Sequence, residues 1–299
     1  LLENQDIRYA LNKHLVPALG KQKIAEVRRR VVIRLVEELA LDRARQASLL
    51  LTYTKQVFAY AEDRELIGAS PIANLKAARI DPELAASKRA RILSENELIA
   101  FWQNVETCGL NRLTALALKL TLVTGQRPGE VAGMRWEEVE GDSWTIPANR
   151  RGKTDSAHAV PLTRTAQEIL EAAREEGERG GVTYGFETQG GTPAEAGHLS
   201  RGVQRFRERL GNKPDPDWGY WRPHDLRRTM RSGLAAAGID DLAVELTVGH
   251  TRKGIAAVYD LHKYDYEKRQ ALEAWERRLL RTIHGQEADN VVPLAAREP

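Results

Sequence analysis

Six side chains in the second half of the chain are of types that could handle a phosphate group. Arg127 sits in TGQRPGE, Lys153 in a polar turn, His224 and Arg227 in RPHDLRR, His250 in TVGH and Tyr259 in AAVYDLHKYDY. Arginine presents a planar fork of donors that stays charged at any working pH. Histidine changes charge near neutrality. Pro223 stands just inside an expected helix start, so His224 and Arg227 lie at the mouth of that helix, where anions are attracted. Two readings follow for this pair: a charged first turn facing water, or two side chains aimed at one phosphate.

Taken singly, each position also has a plain structural reading. Arg127 can bridge to Glu130, His250 can cap a helix C-terminus, where a cation suits the dipole, and Tyr259 can be an ordinary tyrosine like the other seven. A His-x-x-Arg pair recurs by chance in an arginine-rich chain. The ordered set is harder to produce by accident: Arg, Lys, His-x-x-Arg, His and Tyr in coherent spacing. Lys153 is the only lysine between Lys119 and Lys213, and Tyr259 follows His250 by nine residues.

The elements that must position these residues can be read from periodicity and turn residues. The first 75 residues read as helix. From Asp42, a candidate N-cap, Ala47, Leu50, Leu51, Tyr53, Val57, Phe58 and Ala61 recur near a 3.6 period until Gly68 and Pro71 end the run. Residues 76–93 lose that period and turn basic, through Lys76, Arg79, Lys88, Arg89 and Arg91. SENE then opens a second domain with a capping box, Ser94 to Glu97. Residues 111–123 are too apolar for a surface helix and read as a core element. Arg127 falls in the glycine-flanked break after it. Residues 143–162 read as two short strands around the turn that carries Lys153. Helical patterns return at 164–177, 197–210, 224–237 and 240–248. The expected fold is mainly α with a small β-hairpin or sheet: a helical domain over 1–76, a basic linker over 77–93, a mixed α+β domain over 94–284 and a flexible tail over 285–299.

Composition narrows the function classes. With 42% hydrophobic and 29% charged residues over 299 positions, the chain reads as a soluble globular protein of two domains. It has no apolar run near the roughly 18 residues of a membrane span and no signal peptide. Cys108 is the single cysteine, which excludes an internal disulfide, and no Cys/His cluster has zinc spacing. A reducing, cytoplasmic setting is expected. The net charge of +3 does not specify a nucleic-acid partner, but its distribution is uneven. Residues 1–30 hold seven Lys and Arg against three acids. A solvated helix face is the competing reading of that cluster.

The ordered set resembles the tyrosine recombinases, the phage-integrase family. The family's boxes correspond to TGQRPGE around Arg127, Lys153 in a β-hairpin, HDLRR with His224 and Arg227, VGH with His250 and YD with Tyr259. HLVPALGKQKIAEV and FAYAEDRELIGASPIANL resemble the family's helical core-binding domain, so the likeness runs from residue 1 to about 283. It is closest to prophage and genomic-island integrases. Many of these carry a further arm-binding domain ahead of this region; the start at Leu1 rather than methionine leads to the expectation of a fragment without that domain.

The resemblance implies a site-specific recombinase acting on double-stranded DNA attachment sites, to integrate or excise a mobile element through a 3′-phosphotyrosyl intermediate. Arg127 and Arg227 would hold the scissile phosphate, His250 would donate to it, and Tyr259 would attack. Phenolate costs about 4 kcal/mol at pH 7, so nearby cations and His224 as base would assist it, and Lys153 would protonate the departing 5′ oxygen. Glu130 and Asp225 would orient these groups. Tyr264 and Tyr266, fourteen and sixteen residues past His250, are rival nucleophiles that the family spacing disfavours. DNA contacts are expected from Lys21, Lys23, Arg28, Arg29, Arg30, Lys88, Arg89, Arg150 and Arg151. No cofactor or metal is implied. Leu272, Trp275, Leu279 and Ile283 recur at helical spacing; they close the domain's own core or, as the resemblance suggests, dock the C-terminal helix into a neighbour of a homo-tetramer. Host DNA-bending and directionality proteins, a bacterial nucleoid location and no membrane complete the expectation. A type IB topoisomerase-like enzyme and a non-catalytic DNA-binding regulator of the same fold are the alternatives.

Overall fold

Apolar residues on one helical face build the first of two units into which the chain divides, Leu1–Arg89 and Ala90–Pro299. The computed structural model describes residues 5–85, 91–151, 156–178, 184–187, 192–210, 218–250 and 264–285. The first unit begins with α1 (Gln5–Ala10), a π turn (Leu11–Leu15) and α2 (Val16–Leu19). Then follow the long α3 (Arg29–Asp63) and the short α4 (Ala77–Ile80). Val32, Val36, Leu50, Leu51, Phe58, Ile72 and Leu75 are buried together as its core. Arg43 leaves helical geometry (φ −145°, ψ 59°), so α3 is two helices joined at that residue, one position past the expected cap at Asp42. The helix stops at Asp63, ahead of Gly68, because Glu65 turns left-handed (φ 56°) and the Leu66 amide returns to the Ala61 carbonyl at 2.9 Å.

In the second unit α5 (Glu95–Asn104) starts on the capping box read from the sequence. The Glu97 amide donates to Ser94 Oγ at 3.2 Å, and the Ser94 amide donates to Glu97 Oε2 at 2.8 Å. Arg91 pairs with the other oxygen of this buried carboxylate. Just before the helix, the Leu93 amide donates to Thr229 Oγ1 at 2.9 Å.

The apolar run becomes α6 (Arg112–Thr124), capped by Asn111 and buried at every position from Ala115 to Thr124. After it come α7 (Pro128–Ala132), α8 (Arg164–Glu178), α9 (Ala196–Arg209), α10 (Pro223–Ala236), α11 (Asp241–Thr247) and α12 (Asp265–His284). Helices α8, α9, α10 and α12 all pack on α6, which explains why it lacks a polar face.

A three-stranded antiparallel sheet flanks this core: β1 (Val139–Glu140), β2 (Ser143–Ile146) and β3 (His158–Pro161), in the order β1-β2-β3. The expected hairpin is the β2–β3 pair, with Trp144 opposite Val160 and Ile146 opposite His158. Two-residue β1 is too short to show alternation and was not expected. Trp144, Ile146 and Val160 are buried on the sheet's core side.

On α12, Leu272, Trp275, Leu279 and Ile283 are buried in this unit's own core. The Trp275 indole donates to the Leu122 carbonyl at 2.9 Å, one of the carbonyls that the end of α6 leaves without a helical partner. A Cβ at Gly233 would stand 2.2 Å from the Trp275 ring, so glycine is required there. Of the two readings of that stripe, this is the one in which the four residues close their own domain. Residues 286–299 lie outside the described residues. Among the described residues no helix is long and apolar enough to cross a membrane.

Candidate active site

Arg127 is positioned by a sharp change of direction at the end of α6. Gly125 is left-handed (φ 65°), and a Cβ there would meet Met230 Sδ at 2.6 Å, so both conformation and space demand glycine. Gln126 is fully buried, and its Nε2 donates to the Thr124 carbonyl and the Thr247 carbonyl, each at 2.9 Å. That second bond fixes the turn to the end of α11. Arg127 then caps α7, with its amide donating to Glu130 Oε2 at 3.0 Å and its guanidinium to Glu130 Oε1 at 2.7 Å. Glu130 is 4% exposed and Arg127 34%, so a buried carboxylate holds a guanidinium that still reaches solvent.

Arg227 lies one turn into α10 and is 4% exposed. Its Nη1 donates to the Gly125 carbonyl at 2.8 Å, and its Nη2 faces His250 Nε2 at 3.1 Å. One guanidinium therefore joins three segments that are remote in sequence. Burial, and secondarily the charge of Arg127, lower its pKa to about 10, with Glu130 opposing. His250 is held at its other ring nitrogen, where Nδ1 meets Glu245 Oε2. Glu245 Oε1 in turn accepts from Arg231 Nε at 2.8 Å. Partial burial would raise the Glu245 carboxyl, but its hydrogen bonds to His250 and Arg231 outweigh this and hold it below the usual range.

His224 occupies the first turn of α10, at the surface of the domain. Lost hydration, then the charges of Arg227 and Arg228, lower its pKa, while Asp225 opposes them. Asp225 is buried and accepts from the Arg222 amide and the Arg228 guanidinium, each at 2.9 Å. It therefore anchors the helix start and the arginine beside Arg227. Arg127, Arg227, His224 and His250 form one electropositive group, each close enough to a neighbour to bond to it or to disfavour its charge.

Lys153, Tyr259, Lys88 and Arg89 lie outside the described residues. Lys21, Lys23, Arg28, Arg29 and Arg30 are exposed, around the short turn Ile24–Glu26 and the start of α3. The burial of Arg151 corrects the expectation that it contacts DNA, and Arg150 is engaged within the domain. Arg150 donates to Glu138 Oε2 at 2.7 Å and to the Glu130 carbonyl at 3.2 Å. The Arg151 side chain is 2% exposed. It donates to the Ser156 carbonyl at 2.7 Å and the Gly249 carbonyl at 2.5 Å, with Nε 4.0 Å from Glu130 Oε1. Both arginines are engaged inside the domain: Arg150 ties the hairpin to Glu138 and to α7, and Arg151 braces it against the segment before His250.

Sequence reasoning also missed His158. This residue is 7% exposed and packs on Gly249, whose φ is 71° and whose Cβ would fall 2.9 Å from the His158 ring. Burial, then Lys268 and Arg151, push its pKa down to about 3, against a hydrogen bond to the Thr247 backbone. Gln126 stood inside a quoted motif and was the one missed residue with a signal. Glu245 and His158 carried none.

Among the described residues no group of three or more His, Cys, Asp or Glu could hold a metal ion. Comparison with known proteins adds to this geometry. Residues 91–265 match the phage integrase family, and residues 3–78 match the phage integrase central domain. The chain is 27% identical over 274 residues to prophage integrase IntZ of Escherichia coli K12, covering 90% of this chain and 64% of that protein. Prophage integrase IntA of the same strain is 25% identical over 279 residues, covering 90% of this chain and 63% of that protein. The chain thus spans a little under two-thirds of the length of either relative. A lambda integrase tetramer bound to a Holliday junction shares the fold, with a TM-score of 0.63, 19% identity and coverage of 86% of this chain and 73% of that chain. Since the family's match spans the α6–α7 turn, the hairpin, α10 and α11, the segments that Arg227 and Arg151 draw together are those of a known protein class: the chain belongs to the phage integrase family.

Proposed function

We propose that this chain carries the core-binding and catalytic parts of a tyrosine-type site-specific DNA recombinase. The observation that carries the reading is the Arg227 guanidinium, which joins the Gly125 turn beside Arg127 to His250. A phosphodiester under attack gains negative charge on its non-bridging oxygens, and preorganised cationic donors stabilise that charge with little reorganisation. Arg127 and Arg227 hold the scissile phosphate, and His250 is a third donor.

Tyr259 Oη attacks phosphorus and its proton passes to His224, whose lowered pKa keeps the imidazole neutral and able to accept it. The bond from phosphorus to the 5′ oxygen breaks, and Lys153 protonates that oxygen. The products are a 3′-phosphotyrosyl link and a free 5′-hydroxyl. Attack by a 5′-hydroxyl from another duplex reverses the step, with no outside energy source. Exposed Lys21, Lys23, Arg28, Arg29 and Arg30, with Lys88 and Arg89, contact backbone phosphates, so affinity falls steeply with salt. Exchange requires four cleavages and hence a tetramer on two attachment sites, as the lambda integrase tetramer on a Holliday junction supports. The setting is the bacterial nucleoid, and host DNA-bending and directionality proteins act on the same sites.

Covalent trapping tests this reading. The protein is mixed with a pool of nicked duplexes drawn from the ends of the mobile element, denatured, and examined for DNA-linked protein. An adduct that disappears in Tyr259→Phe, with binding retained, is expected. Normal adduct formation by Tyr259→Phe would overturn the assignment. A supercoil-relaxation assay beside a two-site exchange assay separates recombination from topoisomerase activity.

A further inference from the structure

The contacts around His250 form a closed circuit. Arg227 and Arg231 stand four residues apart on α10, hence on one face. Arg227 Nη2 faces His250 Nε2 at 3.1 Å, His250 Nδ1 meets Glu245 Oε2, and Glu245 Oε1 accepts from Arg231 Nε at 2.8 Å. The His250 amide also bonds the Glu245 carbonyl at 2.9 Å, so backbone and side chain fix the same pair.

Donor and acceptor rules then decide where the proton lies. A guanidinium only donates, so Nε2 facing Arg227 presents its lone pair. An ionised carboxylate only accepts, so Nδ1 facing Glu245 carries the hydrogen. The contacts thus match the Nδ1–H tautomer of His250, with its lone pair toward the arginine that would hold the phosphate.

A phosphate oxygen also only accepts. On the reading above, on which this inference rests, His250 must donate to that oxygen through Nε2. A tautomer exchange cannot supply the hydrogen, because it would leave the Nδ1 lone pair against the Glu245 carboxylate. We infer that Glu245, held by Arg231, is a positioning residue that makes DNA binding proton-coupled: His250 takes one proton from solvent at Nε2 as Arg227 Nη2 turns from His250 to the phosphate.

The charged and titratable groups that face His250 from its neighbours fit this account. Among the described residues they are Arg227 and Arg231 on α10, Glu245 on α11, and Arg151 and His158 against the adjoining Gly249. Asp241 lies 3.9 Å from Arg231. Among the described residues the Glu245 carboxylate is the anion in contact with the ring, so it is the group that compensates the new imidazolium.

Two measurements test the inference. Nitrogen-15 NMR of the free wild-type protein at pH 7.5 should show His250 protonated at Nδ1 alone; an Nε2–H signal overturns it without any variant. Calorimetry of the Tyr259→Phe protein with the duplex recovered by trapping, in two buffers of different ionisation enthalpy, should show uptake of about one proton per bound protomer from His250. Glu245→Gln in that background can present an amide donor to Nδ1, leaving Nε2 free to carry the existing hydrogen. Binding should persist and that uptake should vanish. His224 is the other imidazole at the site, so the proton assigned here is the part that Glu245→Gln removes and His224→Gln leaves. Uptake unchanged in Glu245→Gln, or absent in the parent, overturns the inference. Failure to recover an adduct from any duplex removes the recombinase reading itself, whereas an adduct without coupled uptake removes this inference alone.

Discussion

Arg28, Arg29 and Arg30 stand exposed at the start of α3, whereas Arg151 and Arg227 are buried in the second unit with their guanidiniums on backbone carbonyls. The residue type is the same and the physical work is different. An exposed arginine keeps its hydration, orders little around it and acts on a polyanion through a field that salt screens. A buried one has lost that hydration, as the lowered pKa of Arg227 records, and is kept only where fixed acceptors compensate it. The first kind sets how strongly a chain holds nucleic acid. The second sets whether a cation is already in place when charge develops.

The comparison can be tested from its strongest consequence downward. Arg227→Lys keeps the charge but cannot span both the Gly125 carbonyl and His250; single-turnover cleavage should fall about 10²- to 10³-fold. Binding measured at the same salt should change little, and normal cleavage would show that the fork geometry is irrelevant. Arg151→Ala leaves the buried Gly249 carbonyl without its donor, while water can reach the Ser156 carbonyl. Thermal or urea unfolding should report a loss of about 2–3 kcal/mol, with the salt slope of binding unaltered; a changed slope would return Arg151 to the DNA-contacting class.

His158 sharpens the same contrast through pH. Its folded pKa of about 3 lies below the ordinary imidazole value of 6.5, so the unfolded chain binds the extra proton. The stability tied to its neutral form is complete above pH 6.5 and is lost as pH falls toward 3, with a slope of about 1.4 kcal/mol per pH unit. His158→Gln should flatten the acid limb of the wild-type stability curve by that amount, and an identical limb would mean that the ring is not buried in solution. The smallest effect on stability belongs to the exposed cluster. Replacing Arg28, Arg29 and Arg30 together by alanine should leave unfolding within about 0.5 kcal/mol while lowering the slope of log affinity against log salt by up to ~2.7.

Local chemistry made much of this architecture readable. Ser94 and Glu97 mark a helix start because the capping bonds are made within four residues, and Trp144, Ile146 and Val160 mark strands because one face of a pleat is buried. Where a side chain's destination depends on distant segments, the sequence was mute. Arg150 and Arg151 sit in a basic turn that reads as a DNA contact, yet each finds its acceptors in other segments of the domain. The stripe from Leu272 to Ile283 is apolar with one period whether it meets its own core or a neighbour's; only the fold places Trp275 on the Leu122 carbonyl. Arg127, His224, Arg227 and His250 were singled out by type and order, and the fold brings them together. Glu245 and His158 were not, because a lone glutamate or histidine carries no pattern until its partner is seen.

The bond from the Leu93 amide to Thr229 Oγ1 has a mechanical consequence. Thr229 stands two residues beyond Arg227 on α10, and its hydroxyl is fixed in turn to the Asp225 carbonyl at 2.8 Å. Tension carried along the chain into Leu93 therefore loads α10 at once, without first passing through α5. The peptide that enters the second unit is tied like a guy-line to the helix that bears Arg227, and a pull on one is felt by the other.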